Sequence, residues 1–314
     1  MPEPHDVLAE QITLDKPGDF AHFWRDTLDQ LNHYAIEHEK TPVDKRGGIT
    51  HTAVDFNSWL DTRISGYYLH WDDAQPRPLV IYTHGYYGQY DIQWQWAEQG
   101  LNVFGFDSRG FGRSTFPTHA DGWILTGIES PQTSIIRGAV CDYVRAAEIA
   151  RLSSSTAGSR ILYYGYSFGG AMALAAEAVS QAADLVAAGV PTFGWMAGRR
   201  KLVRSGSSGE VNRTIDSHPE LETRIMDTLS YFDTANFADM INKPVLIGIG
   251  REDHIVPAQT VRAICAQLHC PHVIREFPYS HSSQPDESLW QNFKQEWIQM
   301  ALTGKLPIKE DRGT

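Results

Sequence analysis

Five short apolar runs, each bounded by glycine, proline or aspartate, constrain the fold of this chain more than any other feature of its sequence. Continuous apolar runs of this kind are typical of strands that are buried on both faces. Helix-like stretches lie between and after the runs, and strands that alternate with helices predict a mainly parallel, doubly wound sheet. The runs cover residues 79–82, 103–106, 161–164, 185–190 and 245–249, and a further strand is predicted over 273–277.

Two other patterns precede these runs. Aromatic and leucine residues recur at helical spacing over residues 19–37, which predicts an amphipathic helix. Apolar and polar residues then alternate over 49–71, which predicts an antiparallel pair of strands at the edge of the sheet. The helices of the α/β part are predicted over 91–99, 134–152, 170–183, 258–268 and 286–302.

Residues 193–240 interrupt the alternation of strands and helices. They carry a cluster of basic residues and a Ser-Gly cluster before another helical segment, and we interpret them as an insertion over the carboxyl edge of the sheet. Ligands of such sheets bind at that edge, so the insertion is a predicted lid or pocket wall, with a solvated basic loop as the alternative. The whole chain, residues 1–314, is then predicted to be one α/β domain that contains the insertion.

The charge balance excludes some classes of partner. The chain has 27 lysines and arginines against 38 aspartates and glutamates, which gives a net charge of -11. Nucleic acid backbones and anionic membranes are negatively charged and would be repelled overall. We therefore expect a small-molecule partner and neither a nucleic acid nor a membrane.

Cysteine usage and the amino-terminal residues bear on the compartment. Cys141, Cys265 and Cys270 are odd in number and lie at no metal-ligand spacing, so they predict neither a disulfide framework nor a zinc site. The amino-terminal residues include acidic residues and prolines where a signal peptide carries basic charge, and no apolar run is long enough to cross a membrane. The expected location is the cytoplasm.

A Gly-x-Ser-x-Gly motif runs from Gly165 to Gly169 with Ser167 at its centre, directly after one apolar run and directly before an alanine-rich helical stretch. This is the setting of a nucleophile elbow, in which the serine occupies a strained turn and small neighbours let the strand and the helix approach each other. The amino-terminal end of the following helix also favours an oxyanion nearby. Ser167 is the predicted nucleophile, and a tight Gly-Ser turn without chemistry is the alternative.

A serine hydroxyl needs a general base and an acid that orients the base. In α/β-hydrolases the chain order is serine, then aspartate or glutamate, then histidine, with the last two on loops after later strands. Asp253 follows the apolar run at 245–249 and is the predicted acid, with Glu252 as the alternative. His281 follows the strand predicted over 273–277 and is the predicted base, with a loop histidine of no catalytic role as the alternative.

The loop after the first buried strand supplies one main-chain donor to the tetrahedral intermediate in this fold. We predict that the donors of the oxyanion hole are the amides of Tyr86, in that loop, and of Phe168, directly after the nucleophile. Aromatic residues in the segments predicted to surround the pocket indicate a narrow apolar site, although core packing is the alternative role for each of them. The predicted substrate-binding residues are Tyr87, Phe193 and Trp195.

Seven segments of the chain together resemble the acetyl xylan esterase and cephalosporin C deacetylase family, which is carbohydrate esterase family seven. The resemblance covers nearly the whole chain. The segments are DFAHFW at 19–24, HGYYGQY at 84–90, FDSRGFGRS at 106–114, IIRGAVCDYVRAAE at 135–148, GYSFGG at 165–170, REDHIVP at 251–257 and YSH at 279–281.

The resemblance implies that Ser167, Asp253 and His281 form the triad, that acetate and other short acyl groups are the acids released, and that the protein is a homo-oligomer. No cofactor or metal is implied. The family typically has RGQG, a glutamine after the nucleophile and His-Glu, where this chain has Arg109 to Gly112 as RGFG, Phe168 and His281-Ser282. These departures indicate a divergent branch.

The sequence therefore predicts a serine carboxylesterase or deacetylase that acts on small, short-acyl esters through an acyl-enzyme intermediate. Two alternatives remain open. The same triad could serve an amidase, peptidase or acyltransferase, and the fold could serve a binding protein without catalysis.

Overall fold

The computed structural model of the chain describes residues 12–73, 75–152, 158–280 and 287–308. Its strands form one sheet that is antiparallel at one edge and parallel from its middle to the other edge. The strands are β1 (His38–Arg46), β2 (Ile49–Asn57), β3 (Arg63–Trp71), β4 (Leu79–Thr83), β5 (Asn102–Phe106), β6 (Ile161–Tyr166), β7 (Leu185–Gly189), β8 (Val245–Gly250) and β9 (His272–Phe277). Their order in the sheet is β1-β2-β3-β5-β4-β6-β7-β8-β9.

Helices cover both faces of this sheet, because each face has its own apolar cluster. The helices of the α/β part are α1 (Phe20–Leu31), α2 (Trp94–Ala97), α3 (Ile135–Arg151), α4 (Phe168–Ser180), α9 (Ala258–Cys265) and α10 (Glu287–Thr303). Buried side chains of α1, α3, α4 and α9 belong to one cluster, whereas those of α2 and α10 belong to the other. The doubly wound α/β-hydrolase fold with antiparallel edge strands is confirmed.

The amino-terminal prediction was wrong in one respect. The helix predicted over 19–37 ends at Leu31, and a ninth strand, β1, follows it at the edge of the sheet. Nearly every residue of β1 is exposed, so the strand has no buried face that would impose a hydrophobic alternation on its sequence. Its pairing with β2, which is buried at every second position from Thr52 to Phe56, is a tertiary effect.

Four helices occupy the segment 193–240, and a buried aspartate connects its two ends. The carboxylate of Asp233 accepts hydrogen bonds from the amides of Trp195, at 2.9 Å, and Met196, at 2.7 Å. Burial raises the pKa of Asp233 to about 6, and these amide bonds act in the opposite direction. The helices are α5 (Met196–Leu202), α6 (Gly206–Ser217), α7 (Glu222–Ser230) and α8 (Thr234–Ala238).

Within the described ranges, no helix combines the length and the apolarity that crossing a lipid bilayer requires.

Glu177 on α4 gives the stability of the fold a dependence on pH. Its side chain is fully buried, and burial raises its pKa from 4.5 to about 7. The unfolded chain loses this proton near pH 4.5 and the folded chain only near pH 7, so stability falls as the pH rises through this window. We expect Glu177→Gln to remove this loss of stability. The free energy of unfolding of the variant, measured relative to that of the wild type, should therefore increase by about 2–3 kcal/mol between pH 5 and pH 8.

Urea unfolding of both proteins at the two pH values measures this change, and Glu98→Gln, at an exposed position, is the matched control. A stability difference between Glu177→Gln and the wild type that is the same at both pH values would contradict the assignment.

Candidate active site

Ser167 occupies a strained turn between β6 and α4. Its backbone has φ 55° and ψ -114°, a conformation that residues other than glycine rarely adopt. Two main-chain hydrogen bonds hold it there, from the Ser167 amide to the Gly189 carbonyl at 2.8 Å and from the Thr192 amide to the Ser167 carbonyl at 3.1 Å. The serine side chain does not cap the helix, so its hydroxyl is not used by the amides at the start of α4.

The two glycines of the motif are required by close backbone approaches. A Cβ on Gly165 would overlap the backbone of Gly169, and a Cβ on Gly169 would overlap the carbonyl oxygen of Thr83 at the end of β4. Any larger residue at either position would push the strand and the helix apart. The two glycines of the sequence motif are therefore explained by the close approach of the strand and the helix in this turn.

The loop after β4 forms a tight turn beside this serine. The Gly88 amide donates to the Gly85 carbonyl at 2.9 Å, and Tyr87, at the third position of the turn, has φ 62°. The amides of Tyr86 and Phe168 donate to no acceptor within the described part of the chain. Two unused amides, one from this turn and one from the start of α4, are what an oxyanion requires.

His84 supports the turn and is not free to act as a base. Its Nδ1 lies 2.7 Å from the Gly85 carbonyl oxygen, and its Nε2 lies 3.2 Å from the amide nitrogen of Ser108. The amide must donate, so Nε2 accepts and Nδ1 carries the proton. Burial lowers the pKa of His84, which keeps the ring neutral in this arrangement.

The acid loop after β8 directs one carboxylate inward. Asp253 is buried, and its Oδ1 accepts hydrogen bonds from the amides of Ile255 and Val256, both at 2.7 Å. The Ser280 hydroxyl donates to its Oδ2. The neighbouring Glu252 is exposed to solvent. Of the two carboxylates that the sequence offered, Asp253 is the one held by hydrogen bonds inside the protein.

His281 lies outside the described residues, so its role stays a prediction. The described chain reaches Asp253 with Ser280, the residue directly before this histidine. Burial raises the pKa of Tyr166, and the nearby negative charge of Asp253 raises it further. Because Tyr166 directly precedes Ser167, Asp253 lies near the serine turn.

The three aromatic residues predicted to bind substrate differ in exposure. Tyr87 is 65% exposed, Trp195 is half-buried and Phe193 is fully buried. The Phe193 ring lies 6.0 Å from that of Phe168 and lines a cavity of about 10 Å³, which is room for about one water molecule. Of the three, Tyr87 presents the largest surface to a ligand.

Sequence reasoning missed two polar residues that contact this machinery. Ser280 could have been noticed because it adjoins His281, but no pattern marks Glu210, which lies far along the chain in the insertion and contacts Tyr86. Within the described residues, no group of three or more histidine, cysteine, aspartate or glutamate side chains is arranged to hold a metal ion.

The sheet order and the serine turn between β6 and α4 define an α/β-hydrolase fold. The chain belongs to the acetyl xylan esterase (AXE1) family, whose model matches residues 9–300. A curated relative, the acetyl esterase Axe7A of Xylanibacter ruminicola, is 25% identical over 266 residues, which cover 78% of this chain and 58% of that protein. This chain thus matches little more than half of that relative's length.

Two solved structures are similar over almost their whole length. The acetyl xylan esterase from Paenibacillus sp. R4 has a TM-score of 0.85 at 25% identity and covers 95% of this chain and 99% of its own. Acetyl xylan esterase 1 from Thermoanaerobacterium sp. JW/SL YS485 has a TM-score of 0.85 at 21% identity, with 96% and 99% coverage. The second likeness concerns the fold alone.

Proposed function

We propose that this protein is a serine carboxylesterase that removes short acyl groups, acetyl above all, from small esters. The observation that carries the proposal is the strained turn at Ser167, together with the amides of Tyr86 and Phe168, which have no acceptor in the described chain. Membership of the acetyl xylan esterase family supports acetyl as the acyl group.

In the first half of the proposed reaction, the Ser167 hydroxyl attacks the acyl carbonyl carbon while the imidazole of His281 takes its proton. The carbonyl oxygen becomes an oxyanion that accepts hydrogen bonds from the amides of Tyr86 and Phe168. The intermediate then collapses, the ester bond breaks, and the protonated imidazole gives its proton to the departing alcohol. An acyl-enzyme at Ser167 remains.

In the second half, a water molecule attacks the acyl carbon of this ester while His281 takes a proton from it. A second oxyanion forms in the same hole and collapses, which releases the acid and returns the proton to Ser167. Asp253 keeps its negative charge throughout, orients the imidazole and stabilises its protonated form. No cofactor or metal takes part in the proposed reaction.

The size of the acyl group is limited by the rings around the two amides. Phe168 packs against Tyr86, Trp123 and Phe193 with ring centroids 5.9, 5.3 and 6.0 Å apart. These rings fill the space behind the oxyanion donors, and in the proposed site Tyr87, Phe193 and Trp195 limit the pocket that receives substrate. The 193–240 segment forms its wall or lid in this proposal.

We expect kcat/KM for 4-nitrophenyl esters to fall at least about tenfold from acetate to butyrate and further to octanoate, because added methylenes meet rings that are already packed. Steady-state hydrolysis of the three esters, corrected for the uncatalysed rate, measures the change. Octanoate turned over as fast as acetate would exclude a short-acyl enzyme.

We also propose that the protein is a cytoplasmic homo-oligomer. Three buried cysteine thiols support a reducing compartment. The outer edge of β1 is exposed and pairs with no strand in the described residues, which supports association of copies at that edge. Cell fractionation tests the location, and light scattering of the purified protein tests the assembly.

A further inference from the structure

The insertion reaches the turn after β4 through one buried carboxylate, Glu210 of α6. The Tyr86 hydroxyl donates to Glu210 Oε2 at 2.8 Å, and the Ile124 amide donates to the Tyr86 hydroxyl oxygen at 3.0 Å. The same amide lies 3.4 Å from Oε2. Glu210 is 1% exposed, and burial raises its pKa. Burying a carboxylate costs free energy unless hydrogen bonds replace its contacts with water. The hydrogen bonds of Glu210 therefore hold this carboxylate in one arrangement.

The ring of Tyr86 is confined as well as its hydroxyl group. Its ring packs edge to face against Phe111, Trp123 and Phe168, with centroids 5.5, 5.7 and 5.9 Å away. Phe168 carries the second proposed oxyanion donor, so the two donor residues contact each other through their side chains. A shift of the Tyr86 ring would therefore change the spacing of the two amides.

The turn that carries Tyr86 needs such support from outside. Tyr87 is left-handed with φ 62°, a conformation that is strained for a residue with a side chain. Within the turn, the Gly85 carbonyl accepts one hydrogen bond from the Gly88 amide and one from the His84 ring. Two hydrogen bonds, one from the Ile124 amide and one to Glu210, anchor the Tyr86 hydroxyl to separate parts of the chain, and the bond to Glu210 is the one to the insertion.

We propose that Glu210 is a positioning residue for the esterase reaction, which holds the Tyr86 amide at the site of the oxyanion by fixing the Tyr86 hydroxyl. The inference rests on the proposed function. It assigns the insertion a part in transition-state stabilisation besides that of a pocket wall.

Gly122 gives an independent way to disturb the contact. A Cβ at this position would overlap Glu210 Oε2, so the carboxylate reaches Tyr86 because residue 122 has no side chain. Gly122→Ala should displace the carboxylate while leaving Glu210 and Tyr86 in the sequence.

The test compares Tyr86→Phe, Glu210→Met and Gly122→Ala with the wild type and with Glu222→Met, an exposed glutamate of the same insertion. We expect the first three to lower kcat for 4-nitrophenyl acetate about tenfold, less than the loss of a whole oxyanion donor, with KM within about twofold. Affinity for a trifluoromethyl ketone, which forms an oxyanion on the serine, should fall by the same factor. Glu210→Gln keeps an acceptor and should recover most of the rate.

The double variant Tyr86→Phe/Glu210→Met should be no slower than Tyr86→Phe alone, because both changes remove the same contact. A normal kcat in Tyr86→Phe, or additive losses in the double variant, would overturn the role of Glu210. Ser167→Ala is assayed in parallel. If hydrolysis does not depend on Ser167, the proposed function fails and the positioning role fails with it, whereas serine-dependent hydrolysis that ignores Tyr86→Phe removes the positioning role alone.

Discussion

Ser167→Ala is expected to lower kcat for 4-nitrophenyl acetate by about 10⁵- to 10⁶-fold. Without the hydroxyl there is no nucleophile and no acyl-enzyme, and only the oxyanion donors and substrate binding remain. The fold should be unaffected, because alanine keeps the Cβ and the bonds that hold the turn are main-chain bonds.

Steady-state rates and thermal unfolding of the purified variant measure both parts of this prediction. Ser180→Ala, at the far end of the same helix, is the matched control, since its hydroxyl donates to the Ala176 carbonyl at 2.6 Å and faces no proposed substrate. A fluorophosphonate probe should label the wild type and the control and leave Ser167→Ala unlabelled. Equal hydrolysis by wild type and Ser167→Ala would remove the serine mechanism altogether.

Asp253→Asn is expected to lower kcat for 4-nitrophenyl acetate by about 10⁴-fold. The Oδ1 atom of Asp253 already accepts two amide bonds, so an asparagine would place its carbonyl oxygen there and its NH₂ group where Oδ2 now accepts. A donor at that position cannot accept the Nδ1 proton of His281, and the imidazole would be held in the wrong tautomer.

Glu252→Gln is the matched control for this prediction, because it neutralises the adjacent carboxylate on the same loop. Its side chain is exposed, and we expect kcat within about twofold of the wild type. Kinetics of both variants with 4-nitrophenyl acetate distinguish the two carboxylates. A large loss in Glu252→Gln together with a normal Asp253→Asn would reverse the assignment of the acid.

The sequence predicted the central strands of the parallel sheet, β4 to β8, well, because nearly all of their residues are buried and an apolar run leaves few other conformations. The run at 245–249 became β8, Val245–Gly250, and the run at 161–164 became β6, Ile161–Tyr166, which ends beside the serine. The edge strand β1 was missed because it has no buried face. The spacing of apolar residues in a sequence reflects which side chains are buried, so a strand without a buried face has no such spacing.

The geometry of the serine turn was also predictable from the sequence, since the strain at Ser167 and the close approach of Gly165 to Gly169 arise between residues a few positions apart. A rule of chain order pointed to this loop, and within it the prediction was Asp253, with Glu252 as the alternative. The structure adds its physical basis, which is that the Ile255 and Val256 amides hold one carboxylate inside the protein while the other faces solvent.

The residues themselves thus determined the buried strands and the serine turn, because these depend on neighbours in the chain. Only the tertiary structure decided that β4 lies between β5 and β6 in the sheet, and that Glu210 meets Tyr86 across 124 residues of sequence. Such contacts depend on how helices of an insertion pack against a distant loop. Long-range packing brings Glu210, and no other polar residue of the insertion, to the Tyr86 hydroxyl. The sequence around either residue does not indicate this pairing.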